Sequence, residues 1–228
     1  MVKYTMMQIE SRRLLFLELY DVLEEVYGPA KWWPADTPFE VCIGAILTQN
    51  APWSGVVKSI TNLKDAGLFD VNLIAEAPEN ILADAIRSSI YYNRKAHKIK
   101  TFCRFLIENF DGRIENMRKN SLMDARNILL SIHGIGYETA DSILLYALNK
   151  QIFVVDAYTR RIFIRHGLVE KSWDYEQLRL FFEEALVPDV QFFNEFHALL
   201  CLLGAYDCKR KPLCSQCPAQ ETMGVPVV

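Results

Sequence analysis

The chain has 228 residues, about half of them apolar, and a formal charge of −3. That length suits one large domain or two small ones sharing a core. The mildly acidic balance argues against a partner held by bulk charge, while leaving room for local basic patches. No run of about 20 apolar residues predicts a transmembrane helix. The opening "MVKYTMMQIESRR" lacks the apolar core and cleavage site of a secretory signal. A soluble, cytoplasmic protein is the expectation.

In chain order, apolar residues recur at spacings of three and four, the helical period. "RRLLFLELYDVLEEVYG" predicts a helix with Leu15, Leu17, Leu19, Val22 and Val26 near one face and Gly28 as C-cap. In "ADTPFEVCIGAILTQN", Asp36 or Thr37 can N-cap, Pro38 suits the first turn and Glu40 holds a capping-box position. "WSGVVKSITNLKDAG" predicts a helix closed by Gly67. "PENILADAIR", "NRKAHKIKTFCRFLIENF", "LMDARNILLSI" and "YETADSILLYALN" continue the pattern, and "DYEQLRLFFEEAL" and "VQFFNEFHALLCLLGAYD" complete it. "QIFVVDAY" is β-branched but has no second strand to pair with, so it reads as a connector. The expectation is an all-α protein of about ten helices.

"LLSIHGIGYETADSILLYAL" sets a short turn between two apolar helices. Glycine at 134 and 136 permits positive φ and a tight reversal, and it lets backbone amides approach a ligand. The second helix would then present its N-terminal amides, which suit a phosphate. An ordinary helix hairpin is the plainer reading of these glycines. The next segment, "VVDAYTRRIFIRHG", carries Asp156 at a helix start and Arg160, Arg161 and Arg165 beyond it.

"LLSIHGIGYETADSILLYA" and then "VVDAYTRR" together resemble the helix-hairpin-helix/Gly-Pro-Asp DNA glycosylases of the endonuclease III superfamily. "FEVCIGAILTQNAPWSGVVKSITNL", "YYNRKAHKIK" and "FHALLCLLGAYDCKRKPLCSQCP" extend the resemblance over most of residues 35–218. It implies two helical subdomains with a cleft. One comprises residues 1–36 and 151–228 with a Cys-rich C-terminal loop; the other is a helical barrel of 37–150, with the hairpin at about 123–148. It also implies double-stranded DNA with a flipped base as partner, and a monomer. Gly134, Gly136, Tyr137 and Thr139 would meet the DNA phosphate.

By the same resemblance Asp156 is the catalytic carboxylate. Breaking an N-glycosidic bond builds positive charge on the sugar, and a carboxylate near C1′ stabilises it or orients water. As a residue alone, Asp156 is as readily a helix cap. Strand-cutting members carry a lysine two residues after the second glycine, and here Glu138 stands there. A carboxylate forms no imine, so a monofunctional glycosylase is expected, with Glu138 also a favourable acid for a helix N-terminus.

"KWWP" and "LTQNAPW", with Glu in the hairpin, are similar to prokaryotic 3-methyladenine DNA glycosylases of the endonuclease III type. This implies that Trp32 and Trp53 sandwich the base, that Trp33 and Pro34 shape the wall with Glu138 also in the pocket, and that Gln49 sits near the gap left in the duplex. Aromatic faces suit a cationic alkylated purine. Core packing is the alternative for each Trp, and two adjacent rings on a helix could not face the same way. Other readings are a glycosylase for uracil, mismatched thymine or oxidised bases, or a non-catalytic hairpin module.

Cys42, Cys103 and Cys201 lie in apolar helical runs and read as core. Cys208, Cys214 and Cys217 crowd together, which favours a metal over disulfides in a cytosolic chain. The family's segment has a fourth Cys and holds a [4Fe–4S] cluster; here that place is Met223. A cluster with one unusual ligand, a site that has lost its metal, and zinc all stay open. Lys209, Arg210 and Lys211 form a basic loop that could touch phosphate or simply be solvated.

Overall fold

A computed structural model describes residues 8–30 and 32–227. The expectation for the first seven residues and the Lys31 position lie outside them. The described residues are all-α, with twelve α-helices and no strand. They are α1 (Ile9–Tyr27), α2 (Pro38–Leu47), α3 (Trp53–Asp65), α4 (Val71–Glu76), α5 (Glu79–Ala85) and α6 (Tyr92–Phe110). Then come α7 (Leu122–Ser131), α8 (Tyr137–Ser142), α9 (Ala157–Arg165), α10 (Tyr175–Glu183), α11 (Val190–Tyr206) and α12 (Gln220–Met223). α8 runs on into a wider π-turn at Ile143–Ala147. The helices beyond the expected ten are short ones, such as α4 and α12, whose few residues carry too little periodicity to read.

The chain forms two compact units, one of residues 33–150, the other of the residues up to Trp32 with those from Gln151 on. In the first, every residue of α2 from Glu40 to Leu47 is buried, so this helix is the centre around which the others pack. Thr37 caps it by accepting from the Glu40 amide at 3.1 Å. Lys64 of α3 then pairs with both Asp36 and Glu40 at 2.9 Å. α6 packs against α4 and α5.

The second unit has an aromatic core. Phe153 stacks on Phe182 at 4.3 Å, and Phe16 stacks on Phe182 at 5.0 Å. Offset-stacked and edge-on pairs of this kind add to the burial of large apolar area. The buried stripe of α1 is Arg12, Phe16, Leu19 and Leu23. This corrects the expected face: Leu17 and Val26 are exposed, because one stripe of a helix is narrower than the spread of its leucines and valines. α11 packs on α1 and α9. A Cβ at Gly204 would lie 2.5 Å from Tyr158 Cβ, so glycine is what lets α9 and α11 approach this closely.

Candidate active site

The hairpin is α7, a turn and α8. Gly134 has φ +90°, where L side chains are strained, and a Cβ there would meet Lys98 Cγ at 2.7 Å. Gly136 differs from expectation: its φ of −98° is ordinary extended backbone, and it serves as the N-cap of α8 in open space. Only the first glycine makes the reversal. The first turn of α8 carries Tyr137 and Glu138, both exposed, and Thr139, which is buried. The Thr139 hydroxyl turns inward and accepts from Gln49 Nε2 at 2.9 Å, so toward solvent Thr139 has only backbone to offer.

Arg126 of α7 donates from Nε and Nη2 to the two oxygens of Asp141 on α8, at 2.7 and 3.0 Å. Both side chains are buried. The guanidinium also lies 5.2 Å from the Tyr137 ring. This bidentate pair fastens the two hairpin helices to each other.

Gln49 is tied to the hairpin as well. Its Nε2 donates to the Gly134 carbonyl at 3.0 Å besides Thr139, and its Oε1 accepts from Lys98. Sequence reasoning did not single out Lys98; its place four residues before Phe102 on a helix gives no hint of a partner on another element. Lys95 and Lys150 are committed to carbonyls. Lys95 is buried and donates to Leu47 at 2.6 Å and to Ser89; Lys150 donates to Arg118 and Asn120 at 2.8 and 2.7 Å. Burial, with Lys98 nearby, pushes the Lys95 ammonium down to about 8.

Trp32 and Trp33 lie on irregular backbone rather than on a helix, so the helical argument about their directions does not apply. Both are half-buried, as is Trp53, the first residue of α3, whereas Pro34 is exposed. The Trp33 indole lies over Gly44 of α2: a Cβ there would be 3.2 Å from Cζ2. It stands edge-on to Trp53 at 5.1 Å and 5.3 Å from Tyr146. Gly44, invisible as a functional residue in the sequence, is thus the seat of an aromatic cluster.

Asp156 is the N-cap of α9, accepting from the Thr159 amide through Oδ1 at 2.7 Å. Its Oδ2 faces Cys201 Sγ at 3.4 Å. Cys201 in turn lies 3.7 Å from His197 Nε2. Cys201 is therefore half-buried beside a carboxylate, not a plain core residue. His197 is buried, and burial pulls its imidazolium below the ordinary value, with the Asp156 charge opposing. Sequence reasoning missed His197, although its spacing of four from Cys201 on one helix was the available signal.

Cys208 is buried and Cys214 and Cys217 are half-buried; all three line one small cavity with His166 and Arg165. Arg165 donates to Cys208 Sγ at 3.0 Å, and Arg161 donates to the Gly204 and Cys208 carbonyls at 2.7 and 2.8 Å. Arg160 reaches the Lys171 carbonyl at 2.7 Å. Two of the three arginines after Asp156 thus brace the cysteine loop, while Lys209, Arg210 and Lys211 are exposed. A [4Fe–4S] cluster takes four protein ligands. The chain supplies three thiols, and Met223, at the fourth place, is a buried thioether. The donors fit such a group only with a non-cysteine fourth ligand.

An all-α fold, a glycine-turned helix hairpin and an Asp opening the next helix are the parts of a helix-hairpin-helix DNA glycosylase. The chain belongs to the HhH-GPD superfamily of base excision DNA repair proteins, whose model matches residues 43–188. It is 41% identical over 214 residues to the putative DNA repair glycosylase MJ1434 of Methanocaldococcus jannaschii, covering 93% of this chain and 97% of that one. It is 30% identical over 185 residues to endonuclease III of Sulfolobus acidocaldarius, covering 80% of each. The structure of H. pylori 3-methyladenine DNA glycosylase (MagIII) bound to 1,N6-ethenoadenine matches with TM-score 0.73 and 30% identity, over 84% of this chain and 97% of that one. A non-covalent endonuclease III–DNA complex matches with TM-score 0.80 at 21% identity, over 95% of each, a likeness of fold. No helix among the described residues is long and apolar enough to cross a membrane.

Proposed function

We propose that the chain is a monofunctional DNA glycosylase that releases alkylated bases, 3-methyladenine first, and leaves an abasic site. Glu138 carries this reading. It is exposed on the first turn of α8, at the position where strand-cutting members of the family keep lysine. A carboxylate there cannot attack C1′ to form an imine. Lys95 and Lys150 are engaged with backbone carbonyls, which leaves neither poised as a substitute nucleophile.

In this reading Asp156 stabilises positive charge developing at the deoxyribose or orients the attacking water. Trp32, Trp33 and Trp53 supply aromatic faces for the base, with Pro34 beside them. The similarity to the MagIII structure supports the choice of alkylated purines. A cationic base is already a good leaving group and is attracted to an indole face. Gly134, Gly136, Tyr137 and the backbone of Thr139 receive a DNA phosphate, while Gln49 holds the turn in shape. Cys208, Cys214 and Cys217 would hold an iron–sulfur cluster that orders the loop bearing Lys209, Arg210 and Lys211. Iron content and visible absorbance of the purified chain test that part, and a colourless, iron-free protein overturns it.

Duplexes carrying 3-methyladenine, uracil or a G·T mismatch test the activity. The expected result is free 3-methyladenine and alkali-labile sites from the first. Release of no base from any duplex overturns the proposal, and strand cleavage trapped by borohydride overturns its monofunctional part.

A further inference from the structure

The cluster of Asp156, His197 and Cys201 offers one oxygen, one nitrogen and one sulfur, all within 4.8 Å of one another. Two of the three come from a rigid source. His197 and Cys201 lie four apart on α11, so one helix face presents both. The third is held by its own geometry, because Asp156 is anchored through Oδ1 to the Thr159 amide and turns Oδ2 toward the thiol.

Two of the three separations suit a tetrahedral ion. Zinc bonds of about 2.3 Å to sulfur and about 2.0–2.1 Å to nitrogen or oxygen put neighbouring donors about 3.5 Å apart at tetrahedral angles. The observed separations are 3.4 Å from Cys201 Sγ to Asp156 Oδ2 and 3.7 Å from Cys201 Sγ to His197 Nε2. A mixed thiolate, imidazole and carboxylate set selects a borderline-soft divalent ion over magnesium or calcium. Three protein ligands leave a fourth position for water.

We propose that Asp156, His197 and Cys201 form a site for Zn2+, and that its occupancy switches off base release by engaging Asp156. On binding, the Cys201 thiol loses its proton to solvent and the thiolate bonds to the ion. The carboxylate, now bonded to the metal, is neutralised and withdrawn from the sugar. Binding stands on the geometry alone; the switch rests on the proposed role of Asp156.

Cobalt titration of the full-length chain reads the site without reference to activity. The wild type should show thiolate-to-cobalt absorbance that Cys201→Ser loses and that Zn2+ displaces. Any signal from Cys208, Cys214 and Cys217 is common to both proteins and cancels in the difference. Base release is then measured with and without stoichiometric Zn2+, each protein against its own metal-free rate. The wild type should fall about a hundredfold, on the scale of losing one charge-stabilising group, and recover with chelator, whereas Cys201→Ser should not fall. No cobalt difference between the two proteins overturns the site. A clear difference with unchanged base release overturns the switch. An absence of base release in metal-free protein overturns the glycosylase reading and with it the switch, while the cobalt result still decides the site.

Discussion

The Thr159 amide donates to Asp156 Oδ1 at 2.7 Å, so the carboxylate proposed for catalysis is also a helix cap. The cap uses only Oδ1, so capping and catalysis are separable by mutation. Asn accepts the same amide bond, so Asp156→Asn should unfold within about 0.5 kcal/mol of wild type in urea while losing base release. Asp156→Ala should lose both activity and about 1 kcal/mol. Full base release by the Asn variant would remove Asp156 from the chemistry.

Gln49 ties the hairpin turn to α2 through the Gly134 carbonyl and the Thr139 hydroxyl. Gln49→Ala should cost about 1–3 kcal/mol, the net of two to three hydrogen bonds. It should weaken binding of undamaged duplex as well, measured by fluorescence anisotropy. Gly134→Ala should weaken it more, since φ is +90° and the new Cβ meets Lys98. Equal affinity for both variants and wild type would show that the turn does not meet DNA.

The Arg126–Asp141 pair is buried on both sides. Breaking it from one side strands a charge, so Arg126→Met should destabilise by about 3–5 kcal/mol in denaturant unfolding. Replacing both, as Arg126→Met with Asp141→Leu, should recover most of that loss. A double variant no better than the single one would mean that the contact with Tyr137, not the ion pair, is what matters.

Lys95 gives a pH dependence with a defined sign. Its ordinary value of 10.5 falls to about 8 in the folded chain. Between those values the unfolded chain holds the extra proton, so folding stability gained through this group rises with pH from about 8 to 10.5 and is lost as pH falls. Denaturant titrations across that window should show a rising contribution, on the order of 3 kcal/mol, that Lys95→Met lacks. Parallel profiles for the two proteins would refute the assignment.

Sequence and structure divide along a physical line. Helices, their caps and the hairpin were legible because 3.6-residue periodicity, Thr37 and the glycines act over a few neighbours. Local signals also misled where a single position decides: Gly136 needed no positive φ, and α1 buries Phe16 and Leu23 rather than Leu17 and Val26. The argument that adjacent Trp rings diverge assumed a helix, whereas the pair lies on irregular chain, with Trp33 packed over Gly44.

By itself the sequence determined an all-α chain with a glycine-turned hairpin, an Asp opening the next helix, and Glu138 where a lysine would cut the strand. All of these are properties of residues close together along the chain. Only the tertiary structure decided that Gln49 spends its amide on the hairpin, that Arg161 and Arg165 serve the cysteine loop, and that Cys201 and His197 stand beside Asp156. Those partners lie tens of residues apart. What joins them is the close approach of packed helices, such as α9 on α11 at Gly204, which no local pattern encodes.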